Sequence, residues 1–138
     1  MDTTITIQDF AKVEMRVGRV VEAANKEGSE KLIRLVVDFG LKSTGSTKST
    51  GGTGSEEGEG RELRVIFTGV RAYGYTPGDF LNKQFFFITN LAPRKMMDEE
   101  SQGMILAVDG DELPFGKHGE KKPVFISADG MPVGARIR

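Results

Sequence analysis

The chain has 138 residues, with 19 basic and 20 acidic side chains, a formal charge of −1 and no cysteine. This length predicts one domain over residues 1–138, large enough to bury a core without disulfides or metal. The lack of cysteine excludes disulfide scaffolds, thiolate zinc sites and cysteine nucleophiles. No window approaches the roughly 20 apolar residues of a membrane span, and residues 1–10 lack the pattern of a secretory leader. We therefore expect a cytosolic protein that does not bind membranes, and binding by charge must come from local patches.

The N-terminus carries a helix signal. Thr6 and Asp9 have the spacing of a capping box, in which each side chain accepts a hydrogen bond from the other residue's backbone. This spacing predicts a short N-terminal helix. Ile7 and Phe10 follow the helical period, so we expect them to seat this helix on the core.

Two strands and a loop follow. Period-two alternation predicts a strand at residues 13–21, with a bulge or sharp bend at Gly18, and a second strand at 32–39 that pairs with it as a hairpin. In residues 41–60 the only apolar side chain is Leu41. Such a segment does not recover its ordering entropy through burial, so we expect a flexible Gly/Ser/Thr-rich loop at 41–60.

The second half of the chain contains further strand patterns. They predict a third strand that begins at Arg61, a fourth at 83–89 that is buried on both faces, and a fifth at 104–108. Pro77 favours a short helix between the third and fourth strands, and residues 123–126 favour a short peripheral strand. This order predicts an all-β, five-stranded Greek-key barrel of the OB type with peripheral terminal segments. The loop between strands four and five binds oligonucleotides in many such barrels.

No group of residues has the pattern of a catalytic or metal site. His118 lies in a turn-rich stretch without a nearby nucleophile pattern, and residues 46–49 lack the glycine that a phosphate-binding loop needs before its lysine. Residues 109–112 lack the spacing of a calcium loop and favour a tight turn. The acids at 98–100 are consecutive, so they do not oppose each other as a glycosidase pair does. We therefore expect no enzyme activity, no metal and no cofactor.

Basic residues recur on the predicted strands and on the loop after the fourth strand. Brought together by a barrel, they would form a positive track for phosphates, of which Arg16, Arg34 and Arg64 are the secondary part. A solvated outer face of the sheet explains the same charges equally well. Tyr73 and Tyr75 can stack on bases or close the core, and the core is favoured. The basic residues are Arg16, Arg19, Lys31, Arg34, Arg61, Arg64, Arg94 and Lys95.

Several motifs together resemble one family. They are VEMRVGRV at residues 13–20, GSEKL at 28–32, VDFG at 37–40, NLAPRK at 90–95 and SQGMILA at 101–107. In these motifs the chain resembles the tRNA-binding domain family. That family includes the C-terminal domain or separate β subunit of methionyl-tRNA synthetases, stand-alone structure-specific tRNA-binding proteins, and the CsaA export-related chaperones.

The resemblance implies an OB-fold that binds the folded shape of tRNA as a homodimer and has no catalytic activity. It implies a stand-alone protein or an accessory subunit whose partners are tRNA and methionyl-tRNA synthetase. The alternative that it carries is a chaperone for unfolded or pre-secretory polypeptides. Carried over by position, the residues expected to contact RNA or frame the site are Lys31, Asn90, Arg94, Lys95, Ser101 and Met104.

The resemblance also assigns roles within this set. Arg94 and Lys95 would meet phosphates, while Asn90 and Ser101 would hydrogen-bond sugar, phosphate or loop backbone. Met104 would give the site an apolar edge. The family often has lysine at the position of Ala92 and glycine at that of Asp98. The acid beside the two cations is therefore expected to weaken the positive potential of this loop.

Overall fold

The computed structural model describes residues 3–41, 60–112 and 121–138. His118, residues 46–49 and most of the loop predicted at 41–60 lie outside these ranges. The described helix and strands are α1 (Ile7–Ala11), β1 (Met15–Asn25), β2 (Ile33–Leu41), β3 (Arg61–Thr68), β4 (Gln84–Ile88), β5 (Arg94–Met96), β6 (Glu99–Ser101), β7 (Met104–Ile105), β8 (Ala107–Glu112), β9 (Lys121–Phe125) and β10 (Arg136–Ile137).

The main sheet curls into a barrel. Its strand order is β3-β2-β1-β4-β7, with β10 added beside β1, and every pairing is antiparallel. The two ends of this sheet meet where the Gln102 N–H donates to Val65 O at 2.8 Å and the Phe67 N–H donates to Ser101 Oγ at 3.0 Å. The all-β barrel of the OB type is thereby confirmed.

The barrel interior is aliphatic and aromatic. Phe39 and Phe87 meet edge to face at 5.4 Å between ring centroids. Tyr75 packs against Phe125 at 5.2 Å, and its hydroxyl donates to Pro123 O at 2.6 Å. Tyr73 and Tyr75 both pack against the buried cluster, which confirms the prediction that they close the core. The fully buried large side chains are Phe39, Phe80, Phe87, Ile33, Leu35, Ile66, Val20 and Val37.

Gly18 does not mark a bulge. The register of β1 against β2 shifts further along, between Val20 and Glu22. At Gly18 a Cβ atom would lie 2.6 Å from Val37 Cγ1 and 2.9 Å from Phe87 Cδ1. Glycine is therefore needed here because β1 packs closely against core side chains. The prediction of a bulge or bend at Gly18 was wrong, since the irregularity lies between Val20 and Glu22.

The predicted helices form, but the predicted packing of α1 against the core was wrong. Asp9 N donates to Thr6 Oγ1 at 3.0 Å, as the capping box requires. However, Ile7 is 71% and Phe10 37% exposed, so α1 is not seated on the core. Between β3 and β4 the chain forms two 3₁₀ helices, Arg71–Tyr73 and Pro77–Asp79, and the second confirms the short helix predicted at Pro77.

The fifth predicted strand divides at Leu106. Its N–H donates to Phe86 O at 2.9 Å, after which the chain leaves the main sheet, and β8 pairs with β9 in a separate hairpin. The predicted tight turn at 109–112 was wrong because these residues lie within β8. At Gly110 a Cβ would lie 2.3 Å from Lys122 O, so the glycine permits close approach of the two backbones.

The fourth strand was predicted to be buried on both faces. On β4, Phe85 and Phe87 are buried whereas Phe86 is only half-buried.

Candidate nucleic-acid interface

The loop after β4 folds into a two-stranded ribbon. β5 and β6 pair with Arg94 opposite Ser101 and Lys95 opposite Glu100, and Met97 turns the chain with a positive φ of 62°. Arg94 and Lys95 are both exposed. Because successive residues of a strand point to opposite faces, the ribbon presents one cation on each face.

The tip of this ribbon is tied to the β1–β2 connection by ion pairs. Lys26 Nζ lies 2.6 Å from Asp98 Oδ1 and 2.9 Å from Glu99 Oε1, and Arg34 Nε lies 3.0 Å from Glu99 Oε1. The side chain of Lys26 is only 10% exposed, and its ammonium lies 5.7 Å from the centroid of the Phe67 ring. We call Lys26, Arg34, Asp98 and Glu99 the ribbon clamp.

The clamp balances two of the three acids at residues 98–100 that the sequence places beside the two cations. The hydrogen bond from Lys26 lowers the pKa of Asp98, and hydrogen bonds from Arg34 and then Lys26 lower the pKa of Glu99. The same contacts, with Asp98 first, raise the pKa of Lys26. Lys26, Asp98 and Glu99 therefore remain charged around neutral pH, and the clamp pairs two cations with two carboxylates. These acids therefore weaken the positive electrostatic potential of the loop less than the sequence alone indicates, because Asp98 and Glu99 are already paired within the molecule.

The other predicted contact residues lie around the base of the ribbon or on its neighbours. Asn90 Oδ1 accepts from Glu14 N at 2.8 Å, and Asn90 Nδ2 donates to Lys12 O at 2.5 Å. Ser101 is 4% exposed and its Oγ donates to Gly103 O at 3.2 Å. Both side chains thus position the ends of the loop. Lys31 is exposed in the β1–β2 connection, and Met104 is 44% exposed at the start of β7.

The secondary basic residues are divided between two networks. Arg16 Nη1 lies 2.8 Å from Glu62 Oε1, and Arg64 Nη2 lies 2.6 Å from Glu62 Oε2. Arg34 belongs to the ribbon clamp instead. The structure therefore joins Arg16 to Arg64 through one carboxylate, whereas Arg34 pairs with Glu99 in the ribbon clamp.

Sequence reasoning missed Lys26. It stands in a stretch with turn chemistry, and its partners are more than 70 positions away in the chain. The available signal was the topology. In an OB barrel the loop between the first two strands and the loop before the fifth border the same binding face, so a lysine in one and acids in the other are candidates for pairing.

An apolar groove of about 370 Å³ lies on another face of the barrel. Exposed apolar side chains border it, with Val108 at 53% and Ile126 at 47%. Its lining residues are Met15, Phe86, Leu106, Ala107, Val108, Ile126 and Ile137.

Within the described ranges, no three His, Asp or Glu side chains are grouped to hold a metal ion, and no helix is long and apolar enough to cross a membrane.

Comparison with known proteins places this geometry in a family. The model described as "Putative tRNA binding domain" matches residues 56–136. Methionine–tRNA ligase of Cupriavidus necator is 41% identical over 104 residues, which are 75% of this chain and 12% of the ligase. Methionine–tRNA ligase of Polaromonas sp. is 40% identical over 139 residues, which are 97% of this chain and 16% of the ligase. The chain thus spans less than a fifth of the length of these relatives.

Solved structures give the same fold. The MetRS related protein from Pyrococcus horikoshii has a TM-score of 0.73 and 30% identity, with both chains covered in full. The chaperone CsaA from Bacillus anthracis has a TM-score of 0.66 and 21% identity, with 99% of this chain and 100% of CsaA covered. At this low identity the match supports the fold only. Since the family model covers more than half of the chain, and a solved relative matches it from end to end, this chain belongs to the tRNA-binding domain family.

Proposed function

We propose that residues 1–138 form one OB domain that binds folded tRNA without catalysing a reaction. It serves methionyl-tRNA synthetase in the cytosol, as a stand-alone protein or as an accessory, β-type subunit. The observation that carries this proposal is the exposed pair Arg94 and Lys95 on a ribbon that is held in place by the ribbon clamp. Methionine–tRNA ligases among the relatives support the choice of synthetase.

The ribbon explains how shape is recognised. A cation on each face allows the ribbon to sit between two stretches of phosphate backbone, which lie close together where an RNA chain folds back on itself. Contacts to phosphates position a protein without reading sequence. Lys31 adds a further exposed cation, and Met104 gives the apolar edge, while Asn90 and Ser101 hold the loop ends. The domain should therefore recognise folded RNA with little base specificity.

Binding to tRNA is tested by filter binding at low salt. We expect folded tRNA to bind more tightly than duplex DNA of the same length, with an affinity that falls steeply as salt is added. The control is the same tRNA sequence held unfolded by complementary oligonucleotides. Equal binding to tRNA and duplex DNA would contradict the proposal. Suppression of the aggregation of an unfolded polypeptide, without tRNA binding, would instead identify a chaperone.

We further propose that the domain is a homodimer that meets its copy through the apolar groove. In a two-fold dimer the same patch lies on both sides, so it must complement itself. An apolar surface satisfies this requirement, because it carries no charge that would repel its copy. The groove has no charged residue in its lining, and its exposed Val108 and Ile126 would be buried on association.

The dimer is tested by sedimentation at micromolar concentration. We expect the wild type to sediment as a dimer. We expect Val108→Asp with Ile126→Asp to sediment as a monomer, because pairing would bury two carboxylates against their copies. Leu81→Asp is the matched control, since Leu81 is an exposed apolar residue outside the groove. A monomeric wild type, or a dimeric double variant, would remove this proposal.

A further inference from the structure

A slot of about 400 Å³ lies between β3 and the segment that leads into the ribbon. Leu63 lines it from β3, and Leu91 and Pro93 line it from the other segment. Leu63 is 48% and Leu91 47% exposed. The two walls therefore present apolar surface whose burial by an occupant would be favourable.

The slot is fixed in width before anything binds. Arg64 Nη1 donates to Thr89 O and to Gln102 O, the latter at 3.2 Å. Gln102 N donates to Val65 O at 2.8 Å, and Gln102 Oε1 accepts from Val65 N at 2.9 Å. These bonds fasten both ends of the segment at residues 90–101 to β3. A preformed site loses less conformational entropy on binding than one that must be assembled.

The surroundings of the slot favour a ligand with negative charge. Three guanidinium groups and two carboxylates form the ion pairs beside it, which leaves a net charge of +1. Burial acts to raise the pKa of Glu62, but the guanidiniums of Arg16 and Arg64 outweigh it and hold the pKa below its usual value. Glu62 therefore stays ionised and bound to them. Arg94 follows Pro93 directly, so the slot is continuous with the ribbon.

We propose that the slot holds the base of one unpaired nucleotide of a folded RNA. This inference rests on the proposed function and adds a base contact to binding by shape and phosphate charge. The flat faces of the base lie between Leu63 and Leu91, and its phosphates face Arg94. Because Gln102 Oε1 is committed to Val65, the amide is left with its donor group for an acceptor on the base edge. Unpaired bases in loops are the parts of folded RNA that proteins can reach in this way.

The test compares tRNA with a fully paired RNA duplex, using the variants Leu63→Ser and Leu91→Ser. We expect each variant to lose about fivefold in affinity for tRNA, as the loss of part of one apolar contact implies. Affinity for the duplex, and the salt dependence for both RNAs, should not change because no charge is removed. Leu81→Ser is the matched control, and thermal melting checks that each variant is folded.

The outcomes separate this inference from the proposed function. If the wild type shows no preference for tRNA, the proposed function fails and the inference falls with it. If the wild type prefers tRNA but the slot variants bind it normally, or lose affinity for both RNAs equally, only the inference is overturned. If the slot variants lose binding to an unfolded polypeptide and keep their affinity for tRNA, the slot takes apolar peptide side chains, which also overturns it.

Discussion

Replacing Arg94 and Lys95 together by alanine is expected to lower the affinity for folded tRNA about 100-fold, with each lost phosphate contact contributing about tenfold. The slope of log affinity against log salt should become shallower by about 1.4 to 1.8, since two phosphate contacts no longer release counterions. Filter binding over a series of salt concentrations measures both quantities. Both side chains are exposed, so the melting temperature should be nearly unchanged.

The matched control removes two cations from elsewhere on the barrel. Lys83 and Arg138 are also exposed and lie outside the predicted basic track, Lys83 just before β4 and Arg138 just after β10. Replacing both by alanine changes the net charge by the same amount. If this control loses as much affinity as the Arg94 and Lys95 variant, binding follows net charge and the ribbon has no special role.

Lys26→Glu is expected to lower affinity for tRNA about 20-fold, although Lys26 itself need not touch RNA. The substitution places a third carboxylate beside Asp98 and Glu99, and like charges in contact repel each other. The ribbon tip should therefore separate from the β1–β2 connection and no longer hold Arg94 and Lys95 in place. Filter binding with tRNA measures the loss.

A rescue variant tests whether this contact positions the ribbon, and a control accounts for the change of two units in net charge that Lys26→Glu causes. Combining Lys26→Glu with Asp98→Lys restores an opposite pair at the same contact, and we expect most of the affinity to return. Lys83→Glu is the control for the change in net charge. A double variant that binds no better than Lys26→Glu alone would show that the contact does not position the ribbon.

The clamp also gives a pH dependence. The pKa values of Asp98 and Glu99 lie below their usual 3.8 and 4.5, and that of Lys26 lies above its usual 10.5. The clamp therefore contributes its full stabilisation at pH values between the carboxylate pKa values and the lysine pKa. It is lost when the pH falls through the lowered carboxylate values or rises through the raised lysine value. The difference in melting temperature between the wild type and Lys26→Met should be constant from about pH 6 to 9 and shrink in acid.

Local signals in the sequence predicted the local structures. The capping box at Thr6 and Asp9 forms because both hydrogen bonds join residues three positions apart. Strand alternation predicted β1 to β3 for a similar reason, since neighbouring residues alone decide which side chains share a face. The aromatic and β-branched composition of residues 83–89 predicted β4. The order of these strands predicted the barrel, and the family motifs then indicated that the loop between β4 and β7 binds RNA.

The features that were not predicted from the sequence depend on contacts between residues far apart in the chain. Nothing near Ile7 shows that α1 finds no partner on the core. The division of the fifth strand follows from the pairing of β8 with β9, and the ribbon clamp from pairing between Lys26 and Asp98. Periodicity describes one segment at a time, whereas these contacts are decided by how separate segments meet.

The pairing of Leu41 with Arg61 bears on how this barrel can be engineered. These residues are partners across β2 and β3, and Arg61 Nε is held by Asp38 Oδ2 at 2.8 Å. The two strands thus already meet at the point where the chain leaves and returns. Because the closure entropy of a loop grows only slowly with its length, the chain between them is the natural place for a fluorescent label, an affinity tag or new termini.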